Sequence, residues 1–253
     1  MQTNAVLRKR AFLLYWQRRG MLWTIFFSFA LVNFLWYAVQ AYVIGNQLME
    51  TIYQLAVTPV MILGLYHLLL RLTRGREARW PMLFDFVRSP KVVRKALAVG
   101  LIWQFPSFLA YLLGLFGMPV IHSRELAILV LVEMLVAGLL TAWITLRLFL
   151  LPYLFVLNPQ GSVPEMIKSS FRSMKGKVGR LLWFGITVYW WALVLFAVVI
   201  VLTPSLFVAN AFETNQLVRQ LIVLPLIAIL NPYFSLAMAD YANELLHSAR
   251  DGR

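Results

Sequence analysis

Six apolar stretches, near 21–44, 50–72, 96–119, 126–150, 181–208 and 218–241, constrain this chain more than anything else in it. Each is longer than the roughly 20 helical residues needed to cross about 30 Å of hydrocarbon. In lipid an open strand leaves backbone groups unsatisfied, so each stretch is expected to be a helix. The implied fold class is an all-α polytopic membrane protein with six transmembrane helices, forming one integral domain over residues 1–253. The first stretch is not expected to be a cleaved signal, because its apolar core is long and no small-residue cleavage site follows it.

Charge sets the orientation. Six crossings put both termini on one side, together with the segments 1–20, 71–95, 158–180 and 242–253. Those segments hold 5, 8, 5 and 2 Lys or Arg residues, which is 20 of the chain's 23. The opposite connections hold Arg124 and Arg219, and Arg147 lies inside the fourth span. Cytoplasmic loops collect Lys and Arg, so both termini are expected in the cytoplasm. Most of the net charge of +13 is thereby explained by topology, and a nucleic-acid partner is not expected. With no cysteine, neither a disulfide framework nor thiolate chemistry is available. Trp23, Trp80, Trp183, Trp190 and Trp191 lie toward span ends, as interfacial anchors do.

Two cytoplasmic loops carry further pattern. Ser162 and Glu165, three apart, fit a capping box, and Pro164 suits a first helical turn. Met166, Ile167, Ser170, Phe171 and Met174 then share one helical face, while Lys168, Arg172 and Lys175 occupy another. A basic amphipathic helix over 163–175 is expected at the membrane interface, its cations near anionic headgroups. Lys177 and Arg180 continue the basic run after Gly176. The 71–95 loop follows a similar plan: Trp80-Pro81 leads into a short helix near 80–90. There Val87-Arg88-Ser89-Pro90-Lys91 echoes Phe171-Arg172-Ser173-Met174-Lys175, as a weak internal duplication of the two loops would.

Several short motifs carry a resemblance. They are Gly64 with Leu65 through Leu72 before a basic loop, Phe84-Asp85-Phe86, and Arg147 followed by Pro152-Tyr153 and Asn158-Pro159. Ser169-Ser170-Phe171, Met174-Lys175-Gly176 and Pro232 with Ala237, Ala239, Tyr241 and Leu245 complete the set. In these the chain resembles bacterial six-helix inner-membrane families of mostly undefined function, including YciC-like proteins. It also resembles the membrane domain of certain glycerophosphoryl diester phosphodiesterases. The resemblance implies a multi-pass protein of the bacterial cytoplasmic membrane. It implies no hydrolase activity, because those phosphodiesterases carry catalysis in a separate soluble domain.

Charged groups within spans are rare and often functional. His67, Glu133, Arg147 and Asp240 are the candidates, with Asn231 beside the helix-breaking Pro232. Arg147 and Asp240 both fall near the cytoplasmic end and are expected to pair, unless Arg147 snorkels to the headgroups. Glu133 lies about 21 Å from Arg147 along a helix and needs another partner, a proton or a polar cavity. Proline breaks at Pro59, Pro106, Pro152, Pro204, Pro225 and Pro232 fit either kinked packing or a transport path.

No paired-His metal spacing, glycine-rich phosphate loop or nucleophile elbow appears, so no catalytic residue, metal or cofactor is assigned. The leading expectation is a non-enzymatic subunit or accessory of a larger membrane assembly. Its partners would be the bilayer with its anionic headgroups, other membrane subunits or a cytoplasmic protein. The basic positions Arg88, Lys91, Arg172, Lys175, Lys177 and Arg180 would face that side. The alternatives are a permease subunit paired with a separate ATPase, and an intramembrane lipid-modifying enzyme using Glu133 or His67.

Overall fold

The computed structural model describes residues 2–39, 49, 52–87, 89–117, 124–202 and 231–248. Among them are eight α-helices and no strand. The helices are α1 (Asn4–Val39), α2 (Thr58–Thr73), α3 (Pro90–Gly117), α4 (Arg124–Leu148), α5 (Leu151–Leu157), α6 (Val163–Met174), α7 (Val178–Leu202) and α8 (231–248). A π turn, Tyr53–Val57, leads into α2, and a 3-10 helix, Trp80–Val87, precedes α3. Among the described residues, three helical stretches are long and apolar enough to cross a membrane: Asn4–Trp36, Leu55–Thr73 and Leu135–Leu157. The chain divides into two compact units. One comprises Met1–Ile52, Leu69–Trp80 and Leu182–Arg253, the other Tyr53–Leu68 and Pro81–Leu181.

In the first unit α1 supplies a stripe at helical spacing. Leu7, Ala11, Tyr15, Leu22, Ile25 and Phe26 are buried, while Val6, Leu13, Trp16, Phe27 and Leu31 on the other side are exposed. At 1.5 Å per residue, the 36 residues of α1 extend to about 54 Å, far beyond one bilayer's hydrocarbon. Helix α8 is enclosed on most sides, with Phe234, Leu236, Ala237, Ala239, Tyr241, Ala242 and Leu245 all buried. Ring contacts fix the helix directions. Phe184 stacks on Tyr241 with centroids 4.7 Å apart, and Tyr189 lies 4.3 Å from Phe234, so α7 runs antiparallel to α8. Likewise the Gln2 amide donates to Glu244 at 2.8 Å while Tyr15 lies 6.0 Å from Tyr233, so α1 is also antiparallel to α8.

Tyr15 precedes the stretch 21–44, yet it sits beside Tyr233, inside the stretch 218–241. Buried helix–helix contacts need apolar side chains just as lipid contacts do, and sequence hydropathy does not separate the two.

The second unit is built by close approach. A Cβ on Gly64 would collide with the Leu83 backbone, so this glycine lets the 3-10 helix lie directly on α2. Leu83 and Phe86 are the 3-10 helix's buried residues. Gly100 on α3 admits Pro59 in the same way. Pro106 lies inside α3 without ending it. Helices α5 and α6 pack on the start of α3 and the end of α4. There Val92, Ala96, Leu148, Leu151 and Phe155 are buried. Farther along α3, Leu101, Phe105 and Phe108 are exposed, as are Val132, Leu135, Val136, Leu139, Leu140 and Trp143 on α4.

Helix α6 forms over nearly the expected residues. Ser162 stands at its N-cap in extended conformation, with Pro164 in the first turn, but its hydroxyl makes no capping bond, so the capping box is not closed. Gly176, at φ 73°, turns the chain out of the helix after Lys175. The two echoing segments adopt different structures. Phe171 to Met174 ends α6, whereas Pro90 opens α3, because a proline's missing N–H costs nothing at a helix start. Arg88, between them in that motif, lies outside the described residues.

Candidate functional site

Among the described residues each unit holds polar contacts between its helices. In the first, Asp240 on α8 is almost fully buried and receives both arms of one guanidinium. Arg10 Nε donates to Oδ2 at 2.7 Å, and Nη2 donates to Oδ1. Arg10's side chain keeps 40% of its surface exposed against 3% for Asp240, so the pair is sealed on one side only. One turn along α8, Asn243 is buried and its Oδ1 accepts from Arg74 Nε at 2.9 Å. Asp240, Asn243 and Glu244 thus use the i, i+3, i+4 spacing to present three polar groups from one helix. Arg8, on α1, reaches the Thr187 carbonyl of α7 at 3.5 Å. Trp23 donates its indole N–H to the Tyr15 hydroxyl at 2.9 Å.

The expected Arg147–Asp240 pair is corrected by this arrangement. Asp240 takes Arg10, and Arg147 finds a different partner in the second unit. A bidentate guanidinium fork matches the carboxylate's geometry and compensates its buried charge.

In the second unit Arg147 closes α4 against α6. Its Nη1 donates to the Phe171 carbonyl at 3.3 Å, and in return Ser170 Oγ donates to the Arg147 carbonyl at 2.8 Å. The guanidinium carbon lies 5.2 Å from the Trp143 ring centroid, within cation–π range. Trp143 also meets Phe171 edge-on at 6.4 Å. Met166, Ser170 and Met174 on α6 are buried against protein, so the helix's inner face is covered by the chain itself. Lys168, Arg172 and Lys175 point outward and are exposed, while Lys177 and Arg180 are half-buried. Lys95 on α3 anchors the preceding loop, donating to the Gln160 and Gly161 carbonyls at 2.6 and 3.1 Å.

His67, on α2, sits with Nδ1 3.4 Å from Asp85 Oδ2 and its ring 5.5 Å from Phe86. A carboxylate beside an imidazole orients the ring. Around this pair Tyr66 lies 4.9 Å from Tyr153 and edge-on to Trp103, and Phe86 lies 5.3 Å from Phe155. Among the described residues no three His, Cys, Asp or Glu side chains gather as metal ligands would.

The remaining expected positions are quickly placed. Glu133 is on α4, but its side chain lies outside the described residues. Asn231 is the first described residue of α8 and is exposed, and Lys91 is exposed on the first turn of α3. Sequence reading counted Arg10 and Arg74 only as loop charges and named Asp85 only within a motif. The legible signal was the polar trio on α8, which called for donors without saying where they came from. No family model matches this chain, and neither a curated protein nor a solved structure is found to resemble it.

Proposed function

We propose that the protein is a six-span membrane protein of the bacterial cytoplasmic membrane, both termini cytoplasmic, serving without catalysis as a subunit or accessory of a larger assembly. The observation that carries this reading is the outer face of α4. Val132, Leu135, Val136, Leu139, Leu140 and Trp143 are all exposed on one side of that helix, with no charge among them. In water such a patch is an aggregation liability; in a bilayer it meets lipid or another helix. The 20-to-2 division of Lys and Arg supports the orientation, and the motifs shared with YciC-like proteins support the setting.

The crossings we propose begin later than hydropathy alone indicates in the first unit. Lys9, Arg18 and Arg19 are exposed on the N-terminal half of α1, and exposed cations exclude that half from hydrocarbon. The first crossing then starts beyond Arg19, and the part of α7 and α8 level with residues 4–15 lies on the cytoplasmic side with it.

The permease reading stays second, favoured by α6. Its inner face is occupied by protein, which leaves Lys168, Arg172 and Lys175 as a rigid basic surface for a cytoplasmic partner. Purification of the intact chain in mild detergent separates the two. Co-purifying integral proteins support the assembly role, a co-purifying ATPase replaces it with the permease, and a monomer without partners overturns both.

A further inference from the structure

Arg147 is a cation with donors to spare. One arm reaches the Phe171 carbonyl, but its Nε is buried and meets no hydrogen-bond partner among the described residues. A guanidinium carries five donors in a planar fork, and the arm that does not reach Phe171 is left for an outside acceptor. What lies along the same helix face says what that is. Residues 143, 140, 136 and 132 follow Arg147 at three- and four-residue intervals, and Trp143, Leu140, Val136 and Val132 are all exposed. Fifteen residues of helix extend to about 22 Å, enough to run the depth of one leaflet, about 15 Å of hydrocarbon. A cation with spare donors heads an apolar strip of that length, and Arg172, exposed beside Phe171, adds positive charge at the same end. An acyl chain below a phosphate has this shape and charge.

We infer that α4 and α6 form a binding site for an anionic phospholipid of the cytoplasmic leaflet. Arg147 takes the phosphate through the guanidinium arm that does not reach Phe171, Trp143 braces the guanidinium from below, and the α4 face from Trp143 to Val132 takes one acyl chain. Arg172 supplies the preference for a net negative headgroup over a zwitterionic one. The inference rests on the membrane reading above. It differs from general attraction of loop cations to headgroups in naming a single site with a fixed head and tail.

The test is native mass spectrometry of the intact chain in mild detergent, titrated with phosphatidylglycerol, phosphatidylcholine or glycerol 3-phosphate. A charge-assisted phosphate contact is worth about 1.5–3 kcal/mol, so phosphatidylglycerol should be retained about tenfold or more tightly by the wild type than by Arg147→Gln. Arg147→Lys, which keeps charge but loses the planar fork, should fall between. Phosphatidylcholine should bind the wild type more weakly, and glycerol 3-phosphate should not displace phosphatidylglycerol, because it lacks the acyl chain. Equal retention of the two lipids overturns the inference without any variant, so a misfolded Arg147→Gln does not leave it untested. Displacement by glycerol 3-phosphate overturns it too, since free phosphate would then be the ligand. An alkaline carbonate wash of native membranes addresses the underlying reading separately. Release of the protein sinks the membrane assignment, whereas retention with no lipid preference sinks only the site.

Discussion

A buried carboxylate needs donors, and Asp240 obtains two from Arg10, 230 positions earlier in the chain. Removing one partner of a fully buried pair costs about 3–5 kcal/mol, because the other charge is left uncompensated. Arg10 keeps 40% of its side-chain surface exposed, which lowers that figure to about 2 kcal/mol. The two single variants should not be equal. Arg10→Met strands a carboxylate with 3% of its surface exposed and should lower the thermal midpoint in detergent more than Asp240→Asn, whose amide can still accept from Arg10. The double variant Arg10→Met with Asp240→Leu should recover most of the loss; no recovery would mean the pair does more than satisfy itself. Glycine positions give a second contrast. Gly64→Ala drives a methyl into the Leu83 backbone and should cost about 1–3 kcal/mol by overpacking. Gly185→Ala, in open space on α7, should stabilise by about 0.5–1 kcal/mol through helix propensity. At this scale the sequence disclosed need but not supply. Asp240 visibly required a cation, but Arg147 is chosen by proximity to a span end, whereas the real partner follows from how α1 and α8 pack.

Helix α6 shows how far periodicity reaches at the scale of an element. Its start at Ser162-Val163-Pro164, its buried positions and its exposed cations were all legible, because a 3.6-residue repeat and a first-turn proline act locally. What covers the inner face was not legible, since bilayer and protein interior reward the same side chains. Contact with α4 and α5 decides it: Met174 has no exposed surface and Ser170 bonds the Arg147 carbonyl. The order of damage among variants follows. Met174→Ala should cost about 2–5 kcal/mol as a truncated core residue, read as a lowered thermal midpoint. Phe171→Asp, on a half-buried position beside Trp143, should also lower it. Replacing exposed Arg172 and Lys175 together with Lys177 by Gln should leave the midpoint nearly unchanged, because these side chains support no buried contact. A triple variant as unstable as Met174→Ala would show that the basic face, not the inner one, holds α6 in place. The two echoing segments, Val87–Lys91 and Phe171–Lys175, share residue types but no periodicity, and one proline is enough to make a helix start of one where the other is a helix end.

For the molecule as a whole, apolar length gives helices long enough to cross a bilayer, and the proposed orientation rests on the division of Lys and Arg. Labelling with a membrane-impermeant maleimide should accordingly reach cysteines placed at 46, 123 and 214 from outside, and at 78 and 173 only from the cytoplasmic side. Where the crossings end is a harder matter, and the first unit supplies the argument. Arg8 reaches the carbonyl of Thr187, so α7 near Thr187 lies level with the N-terminal half of α1. That half exposes Lys9, Arg18 and Arg19, which hydrocarbon would not accommodate. Ile186, although inside the apolar stretch 181–208 and 48% exposed, should therefore stand on the cytoplasmic side of the hydrocarbon. Tyr189 and Trp190, the next exposed residues along α7, have the chemistry of an interfacial belt. Val194 is still level with about Tyr15 of α1, whereas Ile200 lies level with residues beyond Arg19 and should stand within the hydrocarbon. Two single-cysteine variants separate the alternatives, since the positions differ in depth by about 21 Å of helix. Ile186→Cys should react fully from the cytoplasmic side in inverted vesicles, and Ile200→Cys should stay unreacted until detergent is added. If both are shielded, the crossing starts near residue 181 as hydropathy indicates, and the exposed arginines of α1 must then be neutralised within the membrane by groups on another helix.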